Sequence, residues 1–297
     1  MKKNKYFNLM IVLTVIFASS YIITTPIKAA ETYDRLFEYP TIEELNKLNS
    51  MEEKYKAADI DKETLNKLSN LELINAVADY PYLFDIYAFD TFDGGYQQVR
   101  SRFSGLDELK KRDIFIDKQI TESSLMNDEM SMKELTMHRI LYLQDYSTSL
   151  VASSTVTTPN GTKVSILINN ELSAARIKEL DNYVRTKYPS VTLLRSASNK
   201  YNCHSYAWYS TSSNNSYWMN DPSAYMRDGS YKQKSSSGII STNYRIYYNG
   251  EHSGIVNNSG YVSYNNINIV SKWGQLGLIS HKINDCPYSG SISFWSR

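Results

Sequence analysis

The sequence predicts an α+β protein, with a helical N-terminal region followed by a region rich in short strands. Three observations carry this reading. Capping signals followed by helical apolar spacing recur before residue 141. Alternating apolar runs bounded by turn residues begin at Val164. All four tryptophans, both cysteines, three of the four histidines and eight of the twelve glycines lie after residue 200, whereas the region before is rich in Leu, Lys, Glu and Asp. A composition shift of this size suggests two structural units. The predicted organisation is a signal peptide over 1–30, a helical domain over 31–146, a linker over 147–163 and an α+β domain over 164–297.

The chain begins MKKNKYFNLMIVLTVIFASSYIITTPIKAA. Lys2, Lys3 and Lys5 form a basic start, Met10 to Phe17 an apolar run, and Ala29-Ala30 a small-residue junction. This is the layout of a cleavable export signal. The uncharged stretch from Tyr6 to Ile27 is also long enough for a membrane anchor, but Ser19, Ser20, Thr24, Thr25 and Pro26 weaken its second half. The expectation is an extracellular protein, secreted or associated with the cell wall, with no stable membrane span after cleavage. Cleavage after Ala30 leaves 28 Lys+Arg against 31 Asp+Glu, a net charge of −3. Residues 31–200 carry 21 basic and 27 acidic side chains, and residues 201–297 carry 7 and 4. Neither part is basic enough to suggest nucleic acid as a partner.

Four helix starts are read from Thr41/Glu44, Ser69/Glu72, Ser104/Asp107 and Ser131/Glu134. In each, the hydroxyl accepts from a free N–H of the first turn and the acid reaches back to the cap's own N–H. Ile42, Leu45 and Leu48, then Leu73, Ile74 and Val77, then Leu135, Ile140 and Leu143 follow at helical spacing. Pro81 and Gly94-Gly95 are expected to break or bend the pattern. The phrase 80-YPYLFDIYAFDTFDGGYQQV-99 reads as aromatic packing of a small helical core. Nothing in this region looks chemical, and the lone His138 reads as structural.

Residues 147–163 are Ser/Thr-rich and end in a Pro-Asn-Gly turn, which marks the linker. Val164, Ile166 and Ile168 alternate as a strand. Ile177, Leu180 and Val184 suit a helix that Tyr188-Pro189 ends, and Val191 to Leu194 suit another strand. In 244-YRIYYNGEHSGIVNN-258, strand, Asn249-Gly250 turn and strand follow one another. The stretch 267-INIVSKWG-274 reads as a further strand.

The chemistry-bearing phrase is 201-YNCHSYAW-208. Asn202 is a good N-cap, which places Cys203 in the first turn of a helix, where the dipole and free N–H groups favour a thiolate. A cysteine nucleophile needs a base. His204 is adjacent in sequence, and neighbouring residues on a helix point in different directions, which makes it a poor candidate. His252, opening the second strand of the hairpin, is the better one. Ser271 and Lys272 lie on the next strand.

This order resembles the papain-like hydrolases of bacterial cell walls, the NlpC-type and CHAP families, over roughly residues 195–297. The phrases YNCHSYAW, WMNDPSAY, EHSGIV and SKWG also resemble a pattern of secreted proteins of Gram-positive bacteria. The resemblance implies a papain-like domain, with a helix bearing Cys203 packed on an antiparallel sheet. It implies Cys203 as nucleophile, His252 as base and a polar orienting residue on the next strand. Lys272 has no acceptor; Ser271 can accept a histidine N–H and is the candidate for that position, which a backbone carbonyl could also fill. Asn202, Tyr201, Trp208 and Trp273 are then the candidate substrate-binding residues. The implied activity is cysteine-dependent amide hydrolysis of peptidoglycan, or of another peptide or protein, with neither cofactor nor metal.

Other readings of the same residues remain open. Two cysteines in an exported chain can pair, and a Cys203–Cys286 disulfide would make the chain a non-catalytic binding or adhesion module. A secreted toxin or effector could use the Cys–His pair on a host protein. Cys203, His204, His252, His281 and Cys286 are enough for a metal site, although their spacings match no common zinc pattern. His281 reads as structural.

Overall fold

Local capping chemistry sets most of the helix starts in the computed structural model, which describes residues 37–114, 130–141, 152–235, 240–248, 250–258 and 266–297. The expected signal segment lies outside the described residues. Thr41 and Glu44 form a reciprocal capping box on α1 (Ile42–Leu45), as do Ser69 and Glu72 on α4 (Asn70–Asp79). Between them, Ser50 caps α2 (Met51–Ala57) and Asp61 caps α3 (Lys62–Lys67). A 3-10 turn, Leu83–Ala88, follows Pro81. Then come α5 (Phe92–Arg102), capped by Thr91, and α6 (Ser104–Lys111). In α7 (Met132–Leu141), Ser131 and Glu134 exchange bonds of 2.9 and 3.2 Å.

Two local expectations are corrected. Ser104 opens α6, but its N–H and hydroxyl both donate to the Asp59 carboxylate, at 2.7 and 2.8 Å. Asp107 pairs instead with Lys111 one turn on. Gly94-Gly95 does not break a helix: both residues lie inside α5, and a Cβ on Gly95 would sit 2.0 Å from the Ile86 carbonyl oxygen. Glycine there lets α5 press against the 3-10 turn. Gly95→Ala is therefore expected to cost about 3 kcal/mol, the upper range for overpacking a rigid site. Gly94→Ala, whose Cβ meets only the Thr91 hydroxyl at 3.0 Å, should stay within about 1 kcal/mol. Urea denaturation of the two variants checks the contrast.

The second half opens with a hairpin of β1 (Ala152–Thr157) and β2 (Lys163–Ile168) in antiparallel register. Gly161 sits at φ +89° in its turn. The expected linker over 147–163 therefore contains a strand. Its Ser/Thr content reflects a strand exposed at every position but Val156, and Thr and Val favour the extended chain. Helix α8 (Ala174–Lys187) follows, capped by Ser173. The main sheet is antiparallel throughout. Its strands are β3 (Thr192–Arg195), β4 (Lys232–Lys234), β5 (Arg245–Tyr248), β6 (His252–Val256), β7 (Asn268–Lys272), β8 (Leu278–Lys282) and β9 (Ile292–Ser296). Their order is β3-β8-β7-β6-β5-β9-β4.

The sheet has two covered faces. On one, Ile246, Val256, Ile269, Trp273 and Ile279 share a single apolar core with Leu73, Ile86, Val99 and Leu106 of the helical half and with Leu180 of α8. On the other, Ile255 and Leu278 pack with Trp208, Tyr225, Val164 and Ile166. The composition shift near residue 200 thus does not mark an edge of the core: the two regions pack as one body. The architecture is mixed helix and antiparallel sheet.

Candidate functional site

The site forms where the chain leaves β3 and turns into a short helical segment. Asn202 Oδ1 accepts from the Ser205 N–H at 3.1 Å, the cap expected from the sequence. Helix begins at Cys203 and His204 and widens into a π-helical turn, Ser205–Tyr209, closed by the Ser210 N–H bonding Ser205 O. The wide turn carries Trp208 onto the sheet, where its indole N–H donates to Ser253 Oγ at 2.8 Å. His204 Nδ1 meets the same Ser253 Oγ at 2.8 Å.

Asp90, from the segment just after the 3-10 turn, completes the group. Its Oδ2 lies 3.1 Å from His204 Nε2, and its Oδ1 accepts from Asn202 Nδ2 at 2.8 Å and from the Cys203 thiol at 3.7 Å. Sulfur, one imidazole nitrogen and one carboxylate oxygen all lie within 4.8 Å of one another. Among the described residues this is the group that could hold a metal ion. Cys203 and His204 are 1% and 0% exposed, and the Asp90 side chain 16%, so Asp90 is the side open to solvent.

Burial alone opposes charge on His204. The Cys203 sulfur and Asp90 carboxylate beside it outweigh burial and hold the imidazole well above its ordinary value. Burial first, then the Asp90 carboxylate, pushes the Cys203 thiol up, and His204 offsets only part of this. The expected thiolate-favouring effect of the helix start is outweighed.

The structure brings together only part of the sequence-predicted set. Cys203 and Asn202 are in the site. His252, the expected base, makes no hydrogen bond to Cys203. Neighbours along a strand face opposite ways, and Ser253 is the residue of β6 that faces the Cys203 segment. The His252 ring stacks on Tyr288 at 3.6 Å and 9°, and neither ring nitrogen has a hydrogen-bond partner. Burial, with His281 and His204 nearby, holds it well below its ordinary value. Ser271 does not orient His252 either: its hydroxyl bonds His281 Nε2 at 2.7 Å and accepts the Trp273 indole N–H at 3.1 Å. Trp273 is core. Tyr201 packs 5.2 Å from the Lys272 ammonium. Cys203 and Cys286 are both free thiols. Cys286 donates to Ile283 O, and burial pushes it up to about 12.

Lys272 has a structural task. It is fully buried, and its ammonium donates to Ser198 O, Gly274 O and Leu276 O at 2.9, 2.6 and 2.5 Å, tying the start of the Cys203 loop to the β7–β8 turn. Burial lowers it to about 7, against the opposing pull of Glu171, Cys203 and Asp181. The folded value lies below the unfolded one, so above pH 7 the unfolded chain binds more protons and stability rises with pH. Between pH 7 and 9 the slope from this group approaches about 1.4 kcal/mol per pH unit. Lys272→Met should remove that slope, as read by urea denaturation at the two pH values.

Two site residues escape the sequence reading. His204 was set aside because adjacent helical residues diverge, yet the two oxygens of one carboxylate reach both it and Cys203. Asp90 lies 113 positions away. Its only sequence signal is an acid within an apolar, aromatic stretch. No helix among the described residues is long and apolar enough to cross a membrane. No family model matches the chain, and neither a curated protein nor a solved structure matches it.

Proposed function

We propose that the chain is a secreted cysteine-dependent hydrolase of amide bonds, with Cys203 as nucleophile, His204 as proton carrier and Asp90 holding His204. The observation that carries this reading is the meeting of thiol, imidazole and carboxylate within 4.8 Å. In the reacting form the pair holds one proton between them: it sits on His204 as the Cys203 sulfur attacks the amide carbonyl carbon, and passes from His204 to the departing amine. His204 then takes a proton from the water that splits the thioester, releasing the acid and restoring the thiol. Apo contacts of this kind shorten when substrate binds. Cys203 is 1% exposed, so a substrate carbonyl must displace part of its cover.

A papain-like arrangement is supported by a helical segment bearing the cysteine on an antiparallel sheet, and by the resemblance of YNCHSYAW, EHSGIV and SKWG to the NlpC-type and CHAP families. The pairing with His204 departs from the order of those families, whose base lies on the strand. The same resemblance and the leader-like N-terminus favour peptides of the cell wall as substrate. The free state of both cysteines favours this reading over a disulfide-stapled binding module.

The test is capture of the intermediate. The mature chain is mixed with cell-wall stem peptides, quenched in acid and mapped by mass spectrometry. An acyl group on Cys203, and loss of amine release once Cys203 is fully alkylated, are expected. Undiminished release from the alkylated protein would sink the proposal.

A further inference from the structure

We infer that Asp90, Cys203 and His204 form a binding site for a zinc-class divalent cation, which occupies the thiol and shields it from electrophiles. The inference goes beyond hydrolysis and needs no substrate.

Donor geometry is the first argument. Tetrahedral zinc holds nitrogen and oxygen at about 2.0 Å and sulfur at about 2.3 Å, which places its ligand atoms about 3.3–3.5 Å apart. Here His204 Nε2 lies 3.1 Å from Asp90 Oδ2 and Cys203 Sγ 3.7 Å from Asp90 Oδ1, and one donor atom from each of the three residues lies within 4.8 Å of the others. Side-chain rotations that draw the three donors to that spacing would bring them onto one metal. Three protein ligands leave a fourth position for water or another ligand, on the side where Asp90 is 16% exposed.

The second argument is independent of the spacing. His204 Nε2 is fully buried and lies 3.1 Å from Asp90 Oδ2, yet it is not in line for a hydrogen bond to it. A buried nitrogen without a directed partner is costly. A cation between the three donors would satisfy it.

The supporting residues match what a metal-binding imidazole needs. Its other nitrogen, Nδ1, is fixed by Ser253 Oγ at 2.8 Å, and Ser253 is itself held by the Trp208 indole N–H. Asn202 Nδ2 holds Asp90 Oδ1 at 2.8 Å. Such partners set ring orientation and tautomer. A thiolate in the ligand set selects zinc-class ions over magnesium or calcium. Binding replaces the thiol proton, which leaves to solvent, by a metal–sulfur bond.

Cobalt(II) is the probe, because a cobalt–thiolate bond absorbs in the near ultraviolet and tetrahedral cobalt in the visible. Titration of the mature chain should give both bands at one equivalent, bleached by zinc and unchanged by magnesium. Cys203→Ser should abolish the charge-transfer band, and Cys286→Ser should leave it intact. Ser253→Ala should weaken binding about 10–100-fold. In the unaltered protein, saturating zinc should block alkylation of Cys203 but not that of Cys286 after unfolding, an arm that needs no variant to fold. Absent bands, or bands retained in Cys203→Ser, overturn the inference. Captured acyl-Cys203 without cobalt binding would overturn this inference alone, and cobalt binding without acylation would overturn the hydrolase alone.

Discussion

Asp85→Ala is expected to cost about 3–5 kcal/mol, a large fraction of the roughly 5–15 kcal/mol that holds an ordinary domain folded. Asp85 is fully buried. Its Oδ1 accepts from the Tyr183 and Tyr188 hydroxyls at 2.7 and 2.5 Å, and its Oδ2 from Tyr55 at 2.9 Å and Arg102 Nη2 at 2.6 Å. Those partners come from α2, α5, α8 and the residue after α8, so one carboxylate ties the helical half to the sheet half. Arg102 continues the tie by donating to Pro287 O at 2.9 Å, and its guanidinium lies 3.8 Å over the Tyr55 ring. Removing the carboxylate leaves Arg102 charged and largely buried, with two tyrosine hydroxyls short of an acceptor, since those of Tyr55 and Tyr188 lie 3.2 Å apart and can bond each other. The loss is dominated by these stranded groups and not by the strength of the original bonds. A double change, Asp85→Leu with Arg102→Met, should therefore recover part of the stability, since it removes the unpaired charge. Urea denaturation followed by tryptophan fluorescence reads both. A loss below about 1 kcal/mol for Asp85→Ala would show that the pocket admits water and that the network does not hold the halves together.

What the sequence makes legible follows from the range of the interaction. Ser69 and Glu72 are three residues apart, so their capping box is visible in the string. The β5–β6 hairpin is equally local: the Asn-Gly pair in the string signals it, and Gly250 takes φ +95° between the two strands. Ser104/Asp107 has nearly the same pattern, but Asp59, 45 residues upstream, takes the bonds, and no local rule contains that competitor. The Ser/Thr-rich stretch before Lys163 shows how composition misleads: exposed strand and linker draw on the same residues. The site divides the same way. Cys203 behind its Asn202 cap is a local pattern. The choice between His204 and His252 depends on which face of β6 meets the helical segment, a one-residue question of register that alternation alone does not answer. Asp90 is legible only once the helical half is folded against the sheet, because its place depends on the 3-10 turn that Asp85 anchors.

That dependence makes the helical half part of the site, and it sets the largest expected effect on activity. Cys203→Ala should lower amide hydrolysis to background, since no other nucleophile stands in the group. Asp90→Asn should lower kcat by about 10²–10⁴, the range lost when a proton-carrying group is no longer held in its working state. Asparagine keeps the shape and can still accept from Asn202, so the loss would come from charge and not from collapse. His252→Phe is the discriminating change. Phenylalanine preserves the stack on Tyr288, 3.6 Å away, and removes two nitrogens that make no hydrogen bond. Activity within a few-fold of the parent is expected. A collapse of kcat in His252→Phe, with Asp90→Asn unaffected and both proteins folded by circular dichroism, would return the base to the strand. The pairing of Cys203 with His204 would then be a resting arrangement that the reaction does not use. The opposite result would assign proton transfer to a residue beside the nucleophile in sequence, held in place by an acid from the other half of the chain.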